Sequence, residues 1–156
     1  TTTKALDRPK IPDRKYDYEM VQRLINRVMR HGKKQTAERI VYDAIEEAAR
    51  MLKQENAIEV FDKAIKNVTP FMETRSRRVG GANYQIPFEV KGQRQKHLTV
   101  MWFVAAARAK KGMPMSKRIA LELVDAYNPT GTTFKKKEDT HKMAESNRAF
   151  AHFARF

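Results

Sequence analysis

The chain has 156 residues, with 32 Lys and Arg against 18 Asp and Glu, a formal net charge of +14 and no cysteine. That length supports one domain around one core, and the missing thiols exclude a disulfide scaffold, a thiolate zinc site, an iron–sulfur cluster and a cysteine nucleophile. The longest near-continuous apolar run, Leu98 to Ala107, is about half the ~20 residues a bilayer-spanning helix needs, so no membrane partner is expected.

The charge is uneven. Residues 1–34 carry 10 basic and 4 acidic side chains, whereas residues 35–70 carry 5 and 7; the remainder is cationic again. Self-repulsion of this size costs stability in isolation and turns into affinity when a polyanion displaces counterions. A nucleic-acid partner follows from that balance.

The opening, residues 1–16, has Pro9, Pro12 and scattered Lys and Arg without periodicity, and reads as a basic extended arm. From Asp17, the expected N-cap, Met20, Val21, Leu24 and Val28 recur at helical spacing. Arg23, Arg27, Arg30 and Lys34 recur on the opposite face, and Gly32 stands where a C-terminal cap belongs. A second amphipathic helix runs on Ala37, Ile40, Val41, Ala44, Ile45, Ala48 and Leu52. A third opens at an Asn56–Glu59 capping box and stops at Thr69-Pro70. The period then changes to 2 on both sides of Gly80-Gly81, which predicts a two-stranded hairpin over 71–91. Lacking a sheet to join, the hairpin should lean on helices at its base and project its tip.

After Gly92 a helix apolar nearly all round, from Leu98 through Ala106, is placed mid-bundle. Ser116 is the expected cap of a helix on Ile119, Leu123 and Tyr127, ended by Pro129 and Gly131. Residues 133–156, with Lys135-Lys136-Lys137 and later Phe150 and Phe153, read as a basic terminal helix packed by its later half. The fold class is mainly α, a six-helix bundle-like body with a projecting β-hairpin arm. It is one RNA-binding domain over 1–156: arm 1–16, helical body 17–70 and 92–156, hairpin 71–91.

The hairpin carries the sharpest functional signal. Arg75 and Arg77 share a face by period 2, Arg78 abuts the turn, and Asn83 and Tyr84 stand on the returning strand. Guanidinium forks suit phosphates and base edges, and an aromatic suits stacking; the bland alternative is a ribbon edge blunted by charge. Arg108 and Lys110-Lys111 admit a simple reading as helix-dipole partners. Enzyme signatures fail. Gly32-Lys33 lacks the earlier glycine of a phosphate loop, Arg27 standing there, and His31, His97, His141 and His152 have no metal-ligand spacing.

Three runs carry a resemblance. Leu24-Ile-Asn-Arg-Val-Met-Arg-His-Gly-Lys-Lys34, Arg75-Ser-Arg-Arg-Val-Gly-Gly-Ala-Asn-Tyr-Gln-Ile-Pro87 and Lys136-Lys-Glu-Asp-Thr-His-Lys-Met-Ala-Glu-Ser-Asn-Arg-Ala-Phe-Ala-His152 resemble, in this order, the motifs of the bacterial-type small-subunit ribosomal protein seven family. The resemblance implies a non-enzymatic constituent of the ribosome, bacterial or organellar, without cofactor, metal or small-molecule substrate. Its implied role is to bind the 3′ domain of small-subunit rRNA and nucleate assembly of the head. Carried over by position, the rRNA contacts are Lys10, Arg23, Arg27, Arg30, Lys33, Lys34, Arg75, Arg77, Arg78, Arg94, Arg108, Lys110, Lys111, Lys135, Lys136, Lys137, Lys142 and Arg148. Arg78, Gly80, Gly81, Ala82, Asn83 and Tyr84 would face the exit-site tRNA and mRNA. Small-subunit proteins eleven, nine, thirteen and nineteen are the implied neighbours, and repression of its own message is a further implication. The usual opening run of arginines is absent before Lys4, and the end reads His152-Phe-Ala-Arg-Phe156 where many members finish aromatic-Arg-Trp. The rival from another class is a β-arm DNA-bending protein, which would need an apolar wedge where Gly80-Gly81 stand; a helical protein–protein adaptor is the bland third.

Overall fold

The computed structural model describes residues 11–155. Of the expected extended arm 1–16, Lys10 and the residues before it lie outside the described residues, while the last part, 11–16, is described and closes into a turn on Asp13. Six α-helices, a hairpin and a terminal 3-10 helix follow in the order α1 (Glu19–Val28), α2 (Lys34–Met51), α3 (Ala57–Val68), β1 (Met72–Val79), β2 (Ala82–Glu89), α4 (Gly92–Ala109), α5 (Met115–Tyr127), α6 (Gly131–Ser146) and the 3-10 segment Arg148–Arg155. The expected class is the observed one.

The apolar stripes read from the sequence meet in a single core. Leu24, Ile25, Ile45, Phe61, Phe103, Ile119 and Leu123 are all essentially inaccessible to solvent, and each such side chain contributes about 1.5–3 kcal/mol by leaving water. The hub differs from the expectation. α4 packs against α1, α5 and α6, but α5 touches α2, α3, α4 and α6. The all-round apolarity of α4 is spent partly on half-buried Met101 and Trp102 near its surface, whereas Ile119, Ala120, Leu123 and Ala126 of α5 are fully enclosed.

Several helix ends are set by groups other than the expected caps. Asp17 does not cap α1; its φ is 51° and the helix starts at Glu19. Asp13, buried, does the organising instead. Its carboxylate accepts from the backbone N–H of Lys15, Tyr16 and Tyr18 at 3.0, 2.7 and 2.9 Å, and from the Tyr42 hydroxyl of α2 at 3.1 Å. This is an Asx-type turn that the sequence permits at either aspartate. α1 also stops earlier than expected, at Val28. His31 and Gly32, with φ of 56° and 72°, belong to a turn beyond it rather than to a C-cap, so Arg30 lies off the helix. Asn56 occupies the N-cap position of α3 but makes no side-chain cap bond, and α5 starts at Met115 with Pro114 before it, leaving Ser116 inside the first turn.

The hairpin has the expected turn: Gly80 and Gly81 have φ of 59° and 85°, as a two-residue primed turn requires. Met72 pairs with Glu89 and Val79 with Ala82, which puts Arg75 opposite Ile86 and Arg77 opposite Tyr84 on one face. Its base is tied down, since Phe71 N–H donates to His141 Nε2 at 3.0 Å and Gln95 Nε2 to the Pro70 carbonyl at 2.9 Å.

The terminal region is the largest departure. There is no single helix from 133. α6 begins at Gly131, where φ is 88° and any Cβ would fall 2.7 Å from the Asp125 Cβ, which leaves no room for a side chain. It packs at both ends, through Thr133 and Ala144. Glu122 of α5, fully buried, receives the N–H and hydroxyl of Thr133 on Oε1 at 3.1 and 2.6 Å; its Oε2 has no hydrogen bond but lies 3.4 Å from Lys110 Nζ. After α6 the chain tightens into the 3-10 segment and folds back onto the hairpin.

Candidate nucleic-acid interface

The basic residues separate into those that face solvent and those that hold the fold. From the last turn of α1 to the first residue of α2, Arg27, Arg30, Lys33 and Lys34 are exposed. Arg108, at the end of α4, reaches across to donate to the Arg27 carbonyl at 3.1 Å. Burial, followed by the charges of Arg30 and Arg27, lowers the Arg108 pKa from its ordinary value. Arg108 thus feels the like charges of both Arg27 and Arg30, a cost that a phosphate removes. Two concavities flank this ridge. One, of about 360 Å³, is bordered by Arg30, His31, Lys33, Arg108 and Arg118; the other, of about 280 Å³, by Arg23, Asn26, Arg27 and His97.

Arg23 itself is less available. It pairs with Glu19 at 3.0 Å and with Gln93, and Lys96 holds the other Glu19 oxygen at 3.0 Å. The hydrogen bond from Lys96 keeps the Glu19 carboxyl below the usual carboxylate range.

On the hairpin the arginines are divided. Arg75 and, from the first turn of α4, Arg94 share the buried Glu73, at 2.5 and 3.1 Å. Burial alone would raise the Glu73 carboxyl, but the bonds from Arg94 and Arg75 outweigh it and hold it below its ordinary value. Arg77 donates to the Phe153 carbonyl at 2.7 Å. Tyr84, expected as an exposed stacking platform, lies half-buried beneath the chain's own aromatics, with ring centroids 4.9 Å from Phe150 and 5.5 Å from Phe153. Arg78, Gly80, Gly81, Ala82 and Asn83 form an exposed tip.

The lysines of α6 split likewise. Lys135, Lys136 and Lys142 are exposed, Lys136 lying 5.8 Å from the Trp102 ring centroid. Lys137 turns inward, donating to the Asn67 carbonyl at 3.0 Å and lying 5.2 Å from the Phe71 ring; burial lowers its pKa. Lys110 faces Glu122 and Asp125, at 3.4 and 3.9 Å, while its neighbour Lys111 is exposed. Arg148 pairs with Glu145 at the surface, 3.3 Å away. One residue escaped the sequence reading: Arg118, whose Nε donates to the Met113 carbonyl at 2.8 Å and whose side chain borders the same cavity as Arg30 and Arg108. Its signal was a first-turn arginine close behind Lys110-Lys111, which gains meaning only once α5 is seen beside α2.

Among the described residues no group of three or more His, Asp or Glu could hold a metal ion, and no helix is long and apolar enough to cross a membrane.

A basic ridge on a helical body, a β-arm and a lysine-bearing terminal helix narrow the class, and comparison of the whole sequence decides it. The sequence model of the family described as ribosomal protein S7p/S5e matches residues 1–148. The chain belongs to that family. Relatives called small ribosomal subunit protein uS7 include one from Chloroflexus aurantiacus, 53% identical over 148 residues covering 95% of this chain and 94% of its own. The protein of the same name from Kosmotoga olearia is 55% identical over 150 residues, 96% of each chain, and that from Nautilia profundicola 53% over 150 residues, again 96% of each. These relatives are ribosomal proteins of bacteria and not enzymes, in agreement with the failed enzyme signatures.

Proposed function

We propose that this S7p/S5e family member is a constituent of the bacterial small ribosomal subunit that binds the 3′ domain of small-subunit rRNA and helps to nucleate head assembly. The observation that carries the reading is the exposed basic ridge of Arg27, Arg30, Lys33 and Lys34, to which Arg108 is joined through the Arg27 carbonyl, a run of like charge that a phosphate backbone would neutralise. Lys33, Lys34, Lys111, Lys135, Lys136 and Lys142 extend the cationic surface. The hairpin tip, Arg78 to Asn83, would approach the exit-site tRNA and mRNA, with small-subunit proteins eleven, nine, thirteen and nineteen as neighbours. The DNA-bending alternative lacks an apolar wedge, since Gly80-Gly81 form the tip.

The test is a salt series of binding to the rRNA 3′-domain fragment, with random RNA and duplex DNA of matched length as competitors. The fragment should be preferred by on the order of a thousandfold. Equal binding of all three, fading together with salt, would leave only non-specific electrostatics. Repression of its own message belongs to the same proposal: a transcript segment mimicking the ribosomal site should bind comparably, and absence of binding would exclude it.

A further inference from the structure

The 360 Å³ cavity beside the ridge falls at the small end of the roughly 300–1,000 Å³ usual for ligand sites. Its walls combine two chemistries. Met29, Ile40 and Met115 supply apolar surface, and Arg30, Lys33, Arg108 and Arg118 supply cations. No carboxylate is among its described lining residues, whereas the concavity along α2 contains Glu46 and Glu47 and the one beside α6 contains Glu138 and Asp139. Two of the guanidiniums are fixed by backbone carbonyls, Arg108 by Arg27 and Arg118 by Met113, so their positions are set without loss of charge. α2 and α5 both begin at this cavity, and neither has a side-chain cap; their N-terminal partial charges add to the positive field.

Phosphate alone would need the cations but not the apolar walls, and an apolar peptide side chain would need the walls but not four cations. A nucleotide needs both: a flat ring with apolar faces, joined to charge on either side. We propose that this cavity seats one unstacked base of the bound RNA, with the adjoining phosphates on Arg30, Lys33 and Arg118. The proposal rests on the RNA-binding reading above and names what part of the RNA its basic ridge receives.

The full chain is prepared with methyl-labelled Met, so that Met29 and Met115 report from the cavity, and the 3′-domain fragment and the four nucleoside 5′-monophosphates are added separately. A filling variant that keeps the charge, Thr36→Trp at the exposed rim, is compared with Arg118→Gln. The fragment should shift both methyl signals. T36W should weaken fragment binding about tenfold, the order expected for loss of one seated base, with the salt dependence unchanged, whereas R118Q should weaken binding and flatten the salt dependence. Methyl signals that stay in place while the wild type binds the fragment selectively would overturn the base-seating proposal and leave RNA binding intact. So would a T36W variant that binds as the wild type does, even if monophosphates alone move the methyls. A wild type that shows no preference for the fragment would overturn the RNA reading itself, before any variant is compared. If T36W does not fold, the wild-type methyl shifts still decide.

Discussion

The ridge at the α1–α2 turn and the hairpin arm are both rich in arginine, yet their arginines do different work. On the ridge, Arg108 has the like charges of Arg27 and Arg30 beside it and none of the three has a carboxylate partner among the described residues, so the local potential is raised. On the hairpin, Arg75 is matched by Glu73 together with Arg94 from the start of α4, and Arg77 by a carbonyl of the terminal segment. Arginine in the first setting carries repulsion that an anion can relieve, even though Arg108 also ties α4 to α1; in the second its charge is matched within the fold. The number of cations in a segment therefore overstates the charge that it can offer a partner.

RNA binding should separate the two regions most strongly. Replacing Arg27, Arg30 and Arg108 together by Gln should lower affinity for the 3′-domain fragment by two or more orders of magnitude and reduce the slope of log K against log salt by about 2, as expected when three phosphate contacts are lost. Thermal stability should fall by no more than about 1 kcal/mol, because loss of the Arg108 bond to the Arg27 carbonyl is offset by removal of like-charge repulsion. The same substitutions at Arg75, Arg77 and Arg94 should change the slope less and lower stability more. Filter binding across a salt series, with melting curves in parallel, checks both. Equal slopes for the two triple variants would abolish the distinction.

A finer cut separates neighbours on the hairpin. Arg78→Ala, at the exposed tip, should leave stability within about 0.5 kcal/mol. Arg77→Ala removes the donor to the Phe153 carbonyl and should cost about 1 kcal/mol, loosening the 3-10 segment. Amide exchange at residues 148–153 is the readout, and equal protection in both variants would show that the aromatic contacts of Tyr84 with Phe150 and Phe153 suffice to dock the segment.

Which parts of this were legible in sequence follows from the range of the interactions. Helices, hairpin and Gly-Gly turn are announced by local periodicity and by backbone requirements, so their existence and order were readable. The helix ends were less so: Asp13 and Asp17 are equally good turn formers in isolation, and only the Tyr42 hydroxyl across the fold shows which one is used. The terminal region misled because Phe150 and Phe153 have their partner in Tyr84, more than sixty positions away. The candidate site was legible as a list of cations but not as a division of labour. Lys137 and Lys110 look like Lys136 and Lys111 in sequence, and only the fold sets them against Asn67 and Glu122. Arg118 stayed hidden for the same reason.

Acid should act on the arm through Glu73. Its folded carboxyl lies below the ordinary value, so its contribution is present above the ordinary Glu pKa near 4.5 and is lost as pH falls through the folded value. Arg75 and Arg94 are about half exposed, which screens the pair, and Glu73→Gln should cost about 1 kcal/mol at neutral pH. Its decisive signature is selective: below pH 4.5, amide protection in β1 and β2 should converge between E73Q and the wild type. A constant difference down to the lowest pH would exclude Glu73 as the titrating group.

Alkali should act on the body instead, and there the sign is opposite. The Tyr18 hydroxyl donates to Asp62 of α3, and burial first, then that bond and the Asp62 charge, push its pKa up to about 12. A raised pKa means that the contribution is complete below the ordinary tyrosine value near 10 and is lost as pH rises toward 12. Tyr18→Phe, which keeps the ring against Phe61 at 6.0 Å, should cost about 1 kcal/mol at pH 7, or roughly 2–4 °C in melting temperature. Between pH 10 and 12 the variant's deficit should shrink to nothing, while hairpin protection stays unaffected by the substitution throughout. Loss of hairpin protection in Y18F would show that arm and body unfold as one unit, and that the two regions differ in charge chemistry but not in mechanical independence.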